Sequence, residues 1–163
     1  MQTEVKIRER EPQLVLSRRF ELRLADIGRV IGSGLGQAYG YLAARHARST
    51  ESPFVIYHGI PGPTNLPFEI ELCVPVGADV EAPEGWQRVE LPGGSFASVV
   101  HIGSYDTIGA AYDVLDDWIA THELVIAGPA REVYLSDRST APAETKTVVE
   151  FPVDLTAALQ PVG

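Results

Sequence analysis

The chain has 163 residues, 45% of them hydrophobic, and a formal net charge of −9. This length fits one domain or two fused halves, and the acidic surplus would repel phosphate backbones, so we expect no direct nucleic-acid partner. The single cysteine, Cys73, excludes an internal disulfide bond. No apolar run reaches the roughly 18 residues of a membrane span, and the charged N-terminal sequence is not that of a signal peptide. We therefore expect a cytoplasmic protein without membrane contact.

The first elements are a strand and a helix. Apolar and charged residues alternate at 4–10 and again at 14–24, which predicts one long strand bent at Pro12. Asp26 is predicted to cap a helix, because apolar residues follow it at spacings of three and four as far as Leu42. Glycines within this stripe fit close packing against a sheet or mark a local break.

Two further strands are predicted at 54–60 and 68–76, followed by a seam at 78–85. The second half has the same order. A strand interrupted near Pro92 precedes Asp106, which is predicted to cap a helix, and the apolar stripe of that helix ends at Ile119. Strands at 131–136 and 145–153 complete the half.

An internal repeat relates the two halves. A shift of 77 residues superposes Tyr57 on Tyr134, Pro75 on Pro152 and Val76 on Val153, but Val55 on Glu132. Because repeats fix architecture, we predict an α+β fold of two strand–helix–strand–strand modules, 1–77 and 78–163, related by a pseudo-twofold axis. The predicted fold has one antiparallel sheet, both helices on one face and a ligand groove on the other, with a carboxylate in one module only.

Strand alternation predicts which side chains face this groove. Val133 and Leu135 are expected to pack under the helices, so Glu132 and Tyr134 are predicted to point to the opposite face. In a deep groove the carboxylate of Glu132 would be partly desolvated, which would raise its pKa. It would then act as a counter-charge for a cation or as a general base.

Other candidates have simpler interpretations beside the functional one. Ile70, Leu72 and Val74 are predicted to face the helices, so Glu71 looks away from them, into the groove or into water. His101 fits a buried hydrogen-bonded histidine as well as a ligand contact, and Trp118 fits the core of its helix. The candidate ligand-binding residues are Tyr57, Glu71, His101, Trp118 and Tyr39. No set of metal ligands is found and no cofactor is expected.

The chain resembles the GyrI-like superfamily, the effector-binding domain of AraC-type and MerR-type multidrug-responsive regulators, over about residues 4–154. The resemblance rests on VKIRERE near the start, HIGSYDTIGAAYDVLDDWI at 101–119, REVYLSD at 131–137 and TVVEFPV at 147–153. It implies two similar modules whose groove binds flat, often cationic aromatic compounds. It assigns the family's acidic role to Glu132 and recurring tyrosine positions to Tyr134 and Tyr105. The helix-turn-helix segment of the regulators is not found in this sequence.

Three functions follow from the resemblance. The first is sensing or sequestration of aromatic xenobiotics, a multidrug-binding or resistance role. The second is a hydrolase that opens cyclopropanoid DNA-alkylating natural products, with Glu132 as general base and Tyr134 or Tyr105 hydrogen-bonded to the substrate carbonyl. The third is a protein-interaction module that restrains DNA gyrase. A small aromatic ligand is the expected partner, and a monomer and a homodimer are both consistent with the sequence.

Overall fold

The computed structural model describes residues 1–59, 65–137 and 139–155. Its helices are α1 (Ile27–Ala44) and α2 (Gly109–Thr121). Its strands are β1 (Lys6–Arg10), β2 (Gln13–Leu22), β3 (Phe54–Tyr57), β4 (Phe68–Pro75), β5 (Gln87–Leu91), β6 (Gly94–Ile102), β7 (Val125–Ile126), β8 (Arg131–Tyr134) and β9 (Lys146–Asp154). Within each of its two compact units the strand pairs are antiparallel, and the predicted α+β class is confirmed.

Two compact units divide the chain. The first-helix unit is Pro12–Pro92, and the second-helix unit is Met1–Glu11 with Gly93–Gly163. The predicted long strand is therefore two strands in different units, because β1 pairs with β6 whereas β2 pairs with β4 and β5. A module boundary between residues 77 and 78 stays a prediction, although β5, which follows that point in the chain, pairs within the first-helix unit.

In the first-helix unit, the strand order is β3-β4-β2-β5, and α1 packs on one side of this sheet. The helix is continuous, so its glycines do not break it. At Gly34 they allow close packing, because a Cβ atom there would lie 2.6 Å from Cδ2 of Leu72. Leu72 pairs with Val55 across the sheet, and both are fully buried. The prediction that Ile70, Leu72 and Val74 face the helix is confirmed.

In the second-helix unit, the strand order is β1-β6-β9-β8, with β7 also paired to β9. The stripe predicted for α2 buries Ala111, Leu115 and Ile119. They pack against Val99 and Val149, which are direct partners across β6 and β9. We call this the helix side of the sheet, because side chains alternate between its two faces.

Asp26 is the N-cap residue of α1, as predicted, but without a capping side-chain hydrogen bond, whereas the predicted cap at Asp106 is wrong because Ile108 is the N-cap residue of α2. Short 3-10 turns, Leu24–Asp26 and Tyr105–Thr107, precede the two helices, and neither carboxylate accepts a capping hydrogen bond there. The backbone N–H groups of Ile27 and Ile108 donate instead to carbonyls of these turns. A 3-10 turn thus supplies acceptors for amides that a capping side chain would otherwise satisfy.

The internal repeat is visible as strand register within each unit. Tyr57 pairs with Ile70 in the first-helix unit, and Tyr134 pairs with Thr147 in the second-helix unit. These two pairs are offset by 77 residues along the chain, like the sequence repeat. The two hairpins therefore share one pairing pattern, while the pseudo-twofold axis stays a prediction. No described helix is both long and apolar enough to cross a membrane.

Candidate functional site

Strand register places Glu132 on the helix side of its sheet. Glu132 pairs with Val149, which packs against α2. The expectation that Glu132 and Tyr134 point away from the helices is therefore wrong. Val133 faces the other way, and Leu135, 48% exposed, is not packed under a helix. The physical reason is that α2 offers a hydrogen-bond donor at this position, so a carboxylate can replace an apolar side chain there.

Tyrosine hydroxyls contact the buried carboxylate of Glu132, which is only 6% exposed. The hydroxyl of Tyr112, on α2, donates to Oε2 over 2.5 Å, and that of Tyr134 lies 3.5 Å from Oε1. A hydroxyl–carboxylate bond as short as the first is charge-assisted and stronger than a bond between neutral groups. Tyr112 therefore holds the carboxylate, and Tyr134 lies at the limit of hydrogen bonding.

Aromatic rings surround this carboxylate. The rings of Tyr105 and Tyr134 meet edge to face, with centroids 5.9 Å apart, and Tyr112 meets Phe151 in the same way at 6.3 Å. Such pairs are favoured by the ring quadrupoles and fix ring orientation. We call the set of Glu132, Tyr134, Tyr112, Tyr105 and Phe151 the Glu132 cluster. All its members belong to the second-helix unit.

Tyr105 is the exposed member of the cluster, at 51% of its surface. Partial burial raises the pKa of its phenol, and the negative charge of Glu132 adds to that rise, so the neutral donor form persists to higher pH. The nearby Thr147 side chain acts in the opposite direction, although its Oγ1 makes no hydrogen bond of normal geometry with the described residues. Tyr105 is thus a half-exposed ring in contact with Tyr134, whose hydroxyl lies beside the carboxylate.

Glu71 lies in the first-helix unit, on the side of its sheet away from α1, as predicted, but it is buried rather than solvated. Ser17 donates to Oε2 over 2.5 Å, His58 Nε2 lies 2.7 Å from Oε1, and Arg19 lies 3.6 Å away. Burial would raise the pKa of Glu71, but these hydrogen bonds and positive charges together lower it below its usual value. Its described partners therefore already supply donors and positive charge.

The other predicted ligand contacts are divided between the two units. His101 is fully buried and hydrogen-bonded at both ring nitrogens. Trp118 packs at the edge of the core under α2 and stacks on His122. Tyr57 stacks on Phe68, with ring centroids 6.4 Å apart. Tyr39, on α1, is 37% exposed, and burial raises its pKa. Their roles as ligand contacts stay predictions.

Tyr112 and Phe151 are the cluster members that sequence reasoning did not single out. In the sequence, Tyr112 belongs to the apolar stripe of its helix, which indicates a packing role. Its hydroxyl is recognised as a hydrogen-bond donor to Glu132 only when Glu132 is placed on the face of the sheet that α2 covers. The repeat held a usable signal, because Glu132 corresponds to Val55, a fully buried residue on the helix side of its own sheet. Among the described residues, no three His, Cys, Asp or Glu side chains are grouped so as to hold a metal ion.

Comparison with known proteins gives a family match. The model of the GyrI-like family, described as a GyrI-like small molecule binding domain, matches residues 3–154. No curated protein matches the chain. Among solved structures, the EcmrR–DNA complex has a TM-score of 0.80 and 22% identity, and the alignment covers 93% of this chain but 57% of that one. This chain thus spans little more than half of the EcmrR chain in that complex. The structure of the EcmrR C-terminal domain alone is matched over 97% of its length, at a TM-score of 0.74 and 20% identity.

Two other structures extend the likeness. SAV2435 bound to tetraphenylphosphonium has a TM-score of 0.61 and 11% identity, with 97% of this chain and 98% of that chain covered. A hydrolase from Listeria innocua has a TM-score of 0.68 and 12% identity, with 93% and 92% covered. At these identities the structural likeness establishes the fold alone.

Proposed function

We propose, on the premise that the chain belongs to the GyrI-like small molecule binding domain family, that its Glu132 cluster binds flat aromatic ligands and prefers cationic ones. The observation that carries this proposal is a buried carboxylate held by phenols and bordered by a half-exposed aromatic ring. Each of these features favours a different part of such a ligand.

The carboxylate favours a positive charge. The carboxylate of Glu132 is buried and is hydrogen-bonded by the hydroxyls of Tyr112 and Tyr134. In surroundings of low polarity, attraction between a carboxylate and a ligand cation is stronger than in water.

The aromatic rings favour a flat ligand. Tyrosine faces attract cations and stack on aromatic systems, and the edge-to-face contact holds Tyr134 against Tyr105. Stacking requires little directional fit, which is consistent with the broad ligand range expected of a multidrug-binding or xenobiotic-sequestering protein. The tetraphenylphosphonium ion has a positive charge and four phenyl rings arranged tetrahedrally around phosphorus, so it represents the cationic aromatic part of the proposal rather than the flat shape, and a protein of similar fold is known in complex with it.

Calorimetric titration with tetraphenylphosphonium tests this proposal. We expect Glu132→Gln, which keeps the side-chain shape but removes the charge, to weaken binding by about 10-fold or more, equivalent to about 1.4 kcal/mol. Glu123→Gln is the matched control, since Glu123 is exposed in the same unit and loses the same charge. Equal affinities of the wild type and Glu132→Gln would contradict the proposal.

Hydrolysis of a cyclopropanoid substrate is a second candidate, favoured by the presence of a carboxylate and a phenol in one cluster. Glu132 would take a proton from water while the water oxygen bonds to a cyclopropane carbon and the carbon–carbon bond breaks. The electron pair would pass into the conjugated dienone, whose oxygen becomes a phenolate hydrogen-bonded by Tyr105, and the proton would return to that oxygen. Product analysis tests this: hydrated product should form with the wild type and not with Glu132→Gln. Binding without product would leave only the binding function.

We further propose that the protein is cytoplasmic, that it is a monomer or a homodimer, and that it does not itself contact nucleic acid. The net charge of −9 supports the last point. EcmrR, which shares the fold, is known in a complex with DNA. A mobility-shift assay at low salt decides whether this chain binds DNA, and size-exclusion chromatography with light scattering gives its oligomeric state.

A further inference from the structure

His101 lies in the same transverse row of the sheet as Tyr134. It pairs with Thr147 across β6 and β9, and Thr147 pairs with Tyr134 across β9 and β8. Directly paired residues point to the same face, so all three lie on the helix side. His101 is fully buried, and a fully buried histidine needs a hydrogen-bond partner for each ring nitrogen.

The ring nitrogens of His101 connect two separate segments of the chain. Nδ1 lies 2.9 Å from the amide nitrogen of Gln2, which can only donate, so Nδ1 is the acceptor. Nε2 therefore carries the proton and donates to the carbonyl oxygen of Ser104 over 3.0 Å. The hydroxyl of Thr107 donates to the same carbonyl over 2.9 Å. The tautomer is inferred from these partners.

The segment held by His101 carries Tyr105. Ser104 precedes the 3-10 turn Tyr105–Thr107, and its own Oγ accepts from the backbone N–H of Asp106 over 3.2 Å. Gly103 has a positive φ of 142°, a conformation that other residues adopt only with strain, and its N–H donates to Thr145. The base of the turn is thus fixed by a glycine and by the His101 ring.

Tyr105 depends on this turn for its position. About half of its surface is exposed, so it has fewer packing contacts than a core residue. Its ring nevertheless meets Tyr134 at 5.9 Å, beside Glu132. A side chain on a short turn is placed as precisely as the turn itself is held.

We propose that His101 is a positioning residue for ligand binding: by holding the carbonyl of Ser104 it fixes the 3-10 turn and so keeps Tyr105 against Tyr134 at the Glu132 cluster. This inference rests on the proposed function of that cluster. It assigns His101 no contact with the ligand, which is consistent with its complete burial.

A double-mutant cycle with tetraphenylphosphonium tests this proposal. Removing Tyr105 with Tyr105→Ala and releasing the turn with His101→Leu should each weaken binding by about threefold to tenfold. The combined variant should bind no more weakly than Tyr105→Ala alone, because both changes remove one interaction. His101→Gln, whose amide can still donate to the Ser104 carbonyl, should recover affinity to within about twofold of the wild type. Independent effects that multiply in the double variant would overturn the proposal.

A readout without ligand separates this inference from the proposed function. In the wild type, nuclear Overhauser effects should connect the ring protons of Tyr105 and Tyr134, and they should disappear in His101→Leu but persist in His101→Gln. If the wild type does not bind tetraphenylphosphonium, or if Glu132→Gln binds equally well, the proposed function fails while these ring contacts still decide the role of His101. Contacts that persist in His101→Leu would overturn it. If that variant does not fold, Thr107→Val should weaken the same contacts, because it removes the hydroxyl that donates to the Ser104 carbonyl and lies 3.1 Å from Nε2 of His101.

Discussion

The hydroxyl group of Tyr112, on α2, lies 2.5 Å from Oε2 of Glu132, on β8. Its ring in turn rests edge to face on Phe151, on β9. A residue of the helix therefore fixes the carboxylate of the strand, and a residue of the neighbouring strand fixes that tyrosine. This contact replaces, within one unit, the apolar packing that Val55 makes in the corresponding hairpin.

Tyr112→Phe should separate stability from ligand binding. The variant keeps the ring packing on Phe151 but removes a charge-assisted hydrogen bond from a buried carboxylate, so the free energy of unfolding should fall by about 1.5–3 kcal/mol. Its affinity for tetraphenylphosphonium should rise, because the ligand cation no longer competes with a phenol for Oε2. Urea titration and calorimetry measure the two effects.

The control for this prediction is Tyr41→Phe, which removes an exposed hydroxyl bonded to the carbonyl of Glu81. That change should cost less, about 0.5–1.5 kcal/mol, and leave ligand affinity unchanged. A Tyr112→Phe variant as stable as the wild type would show that the hydroxyl contributes nothing to holding Glu132.

Sequence reasoning predicted the elements well because their signals are local. The stripes of α1 and α2 and the alternation of β4 gave helices, strands and a buried face that the structure confirms. The predicted face of Glu132 on β8 was wrong, because the prediction used Val133 and Leu135 as an apolar pair, whereas the strand is only four residues long and ends before Leu135. The face on which Glu132 lies depends on its hydrogen bond with Tyr112, which is distant in sequence, and the hydrophobicity of the strand residues does not indicate that face.

The capping hydrogen bonds expected of Asp26 and Asp106 are not made, for a related reason. A local rule assigns an aspartate before a helical stripe as a cap, whereas the chain uses a 3-10 turn at both places. The internal repeat nevertheless predicts the face of the sheet on which Glu132 lies. Its partner Val55 sits beside Leu72 on the helix side, so weighting the repeat above the hydrophobicity of the neighbouring residues gives the observed face.

Gly34→Ala should destabilise the protein although alanine favours helices. The added Cβ atom would lie 2.6 Å from Cδ2 of Leu72 and 3.4 Å from the ring of Phe20, and Leu72 is fully buried. Overpacking costs about 1–3 kcal/mol, which exceeds the helix preference of about 1 kcal/mol. We expect a net fall of up to about 2 kcal/mol in the free energy of unfolding, measured in urea.

Gly36→Ala is the matched control on the same helix. No neighbouring atom lies within 4 Å of the added Cβ, so only helix propensity acts and the protein should gain about 0.5–1 kcal/mol. Changes of the same sign in both variants would show that α1 is not held against Leu72 as the structure describes.

Glu71 should make stability depend on pH in the acidic range. Burial raises its pKa, but the hydrogen bonds from Ser17 and His58 and the charges of Arg19 and His58 lower it further than burial raises it. Because the folded pKa lies below the unfolded one, the carboxylate contributes stability above the unfolded pKa of roughly 4.3. That contribution is lost as the pH falls through the folded value.

Urea titrations between about pH 7 and pH 3 test this linkage. The wild type should exceed Glu71→Gln in stability at neutral pH, and the difference should shrink below about pH 4.3. Glu69→Gln is the control, because the side chain of Glu69 is 45% exposed and forms a surface ion pair of 3.4 Å with Arg19. A difference between wild type and Glu71→Gln that stays constant across the series would mean that the folded pKa of Glu71 is not lowered.

Arg10 should be more important for stability than its partial exposure indicates. Its guanidinium donates to both oxygens of Glu150, at 2.8 Å from Nε to Oε1 and 2.7 Å from Nη2 to Oε2, and Ser98 donates to the same carboxylate. Glu150 is fully buried, so Arg10→Ala leaves a buried negative charge without this partner. Breaking such a pair costs about 3 kcal/mol. Combining Arg10→Met with Glu150→Gln removes both charges and keeps an acceptor for Ser98, so the double variant should recover at least half of the loss in a urea titration. A double variant less stable than Arg10→Ala would show that the ion pair itself, rather than the stranded charge, accounts for the loss.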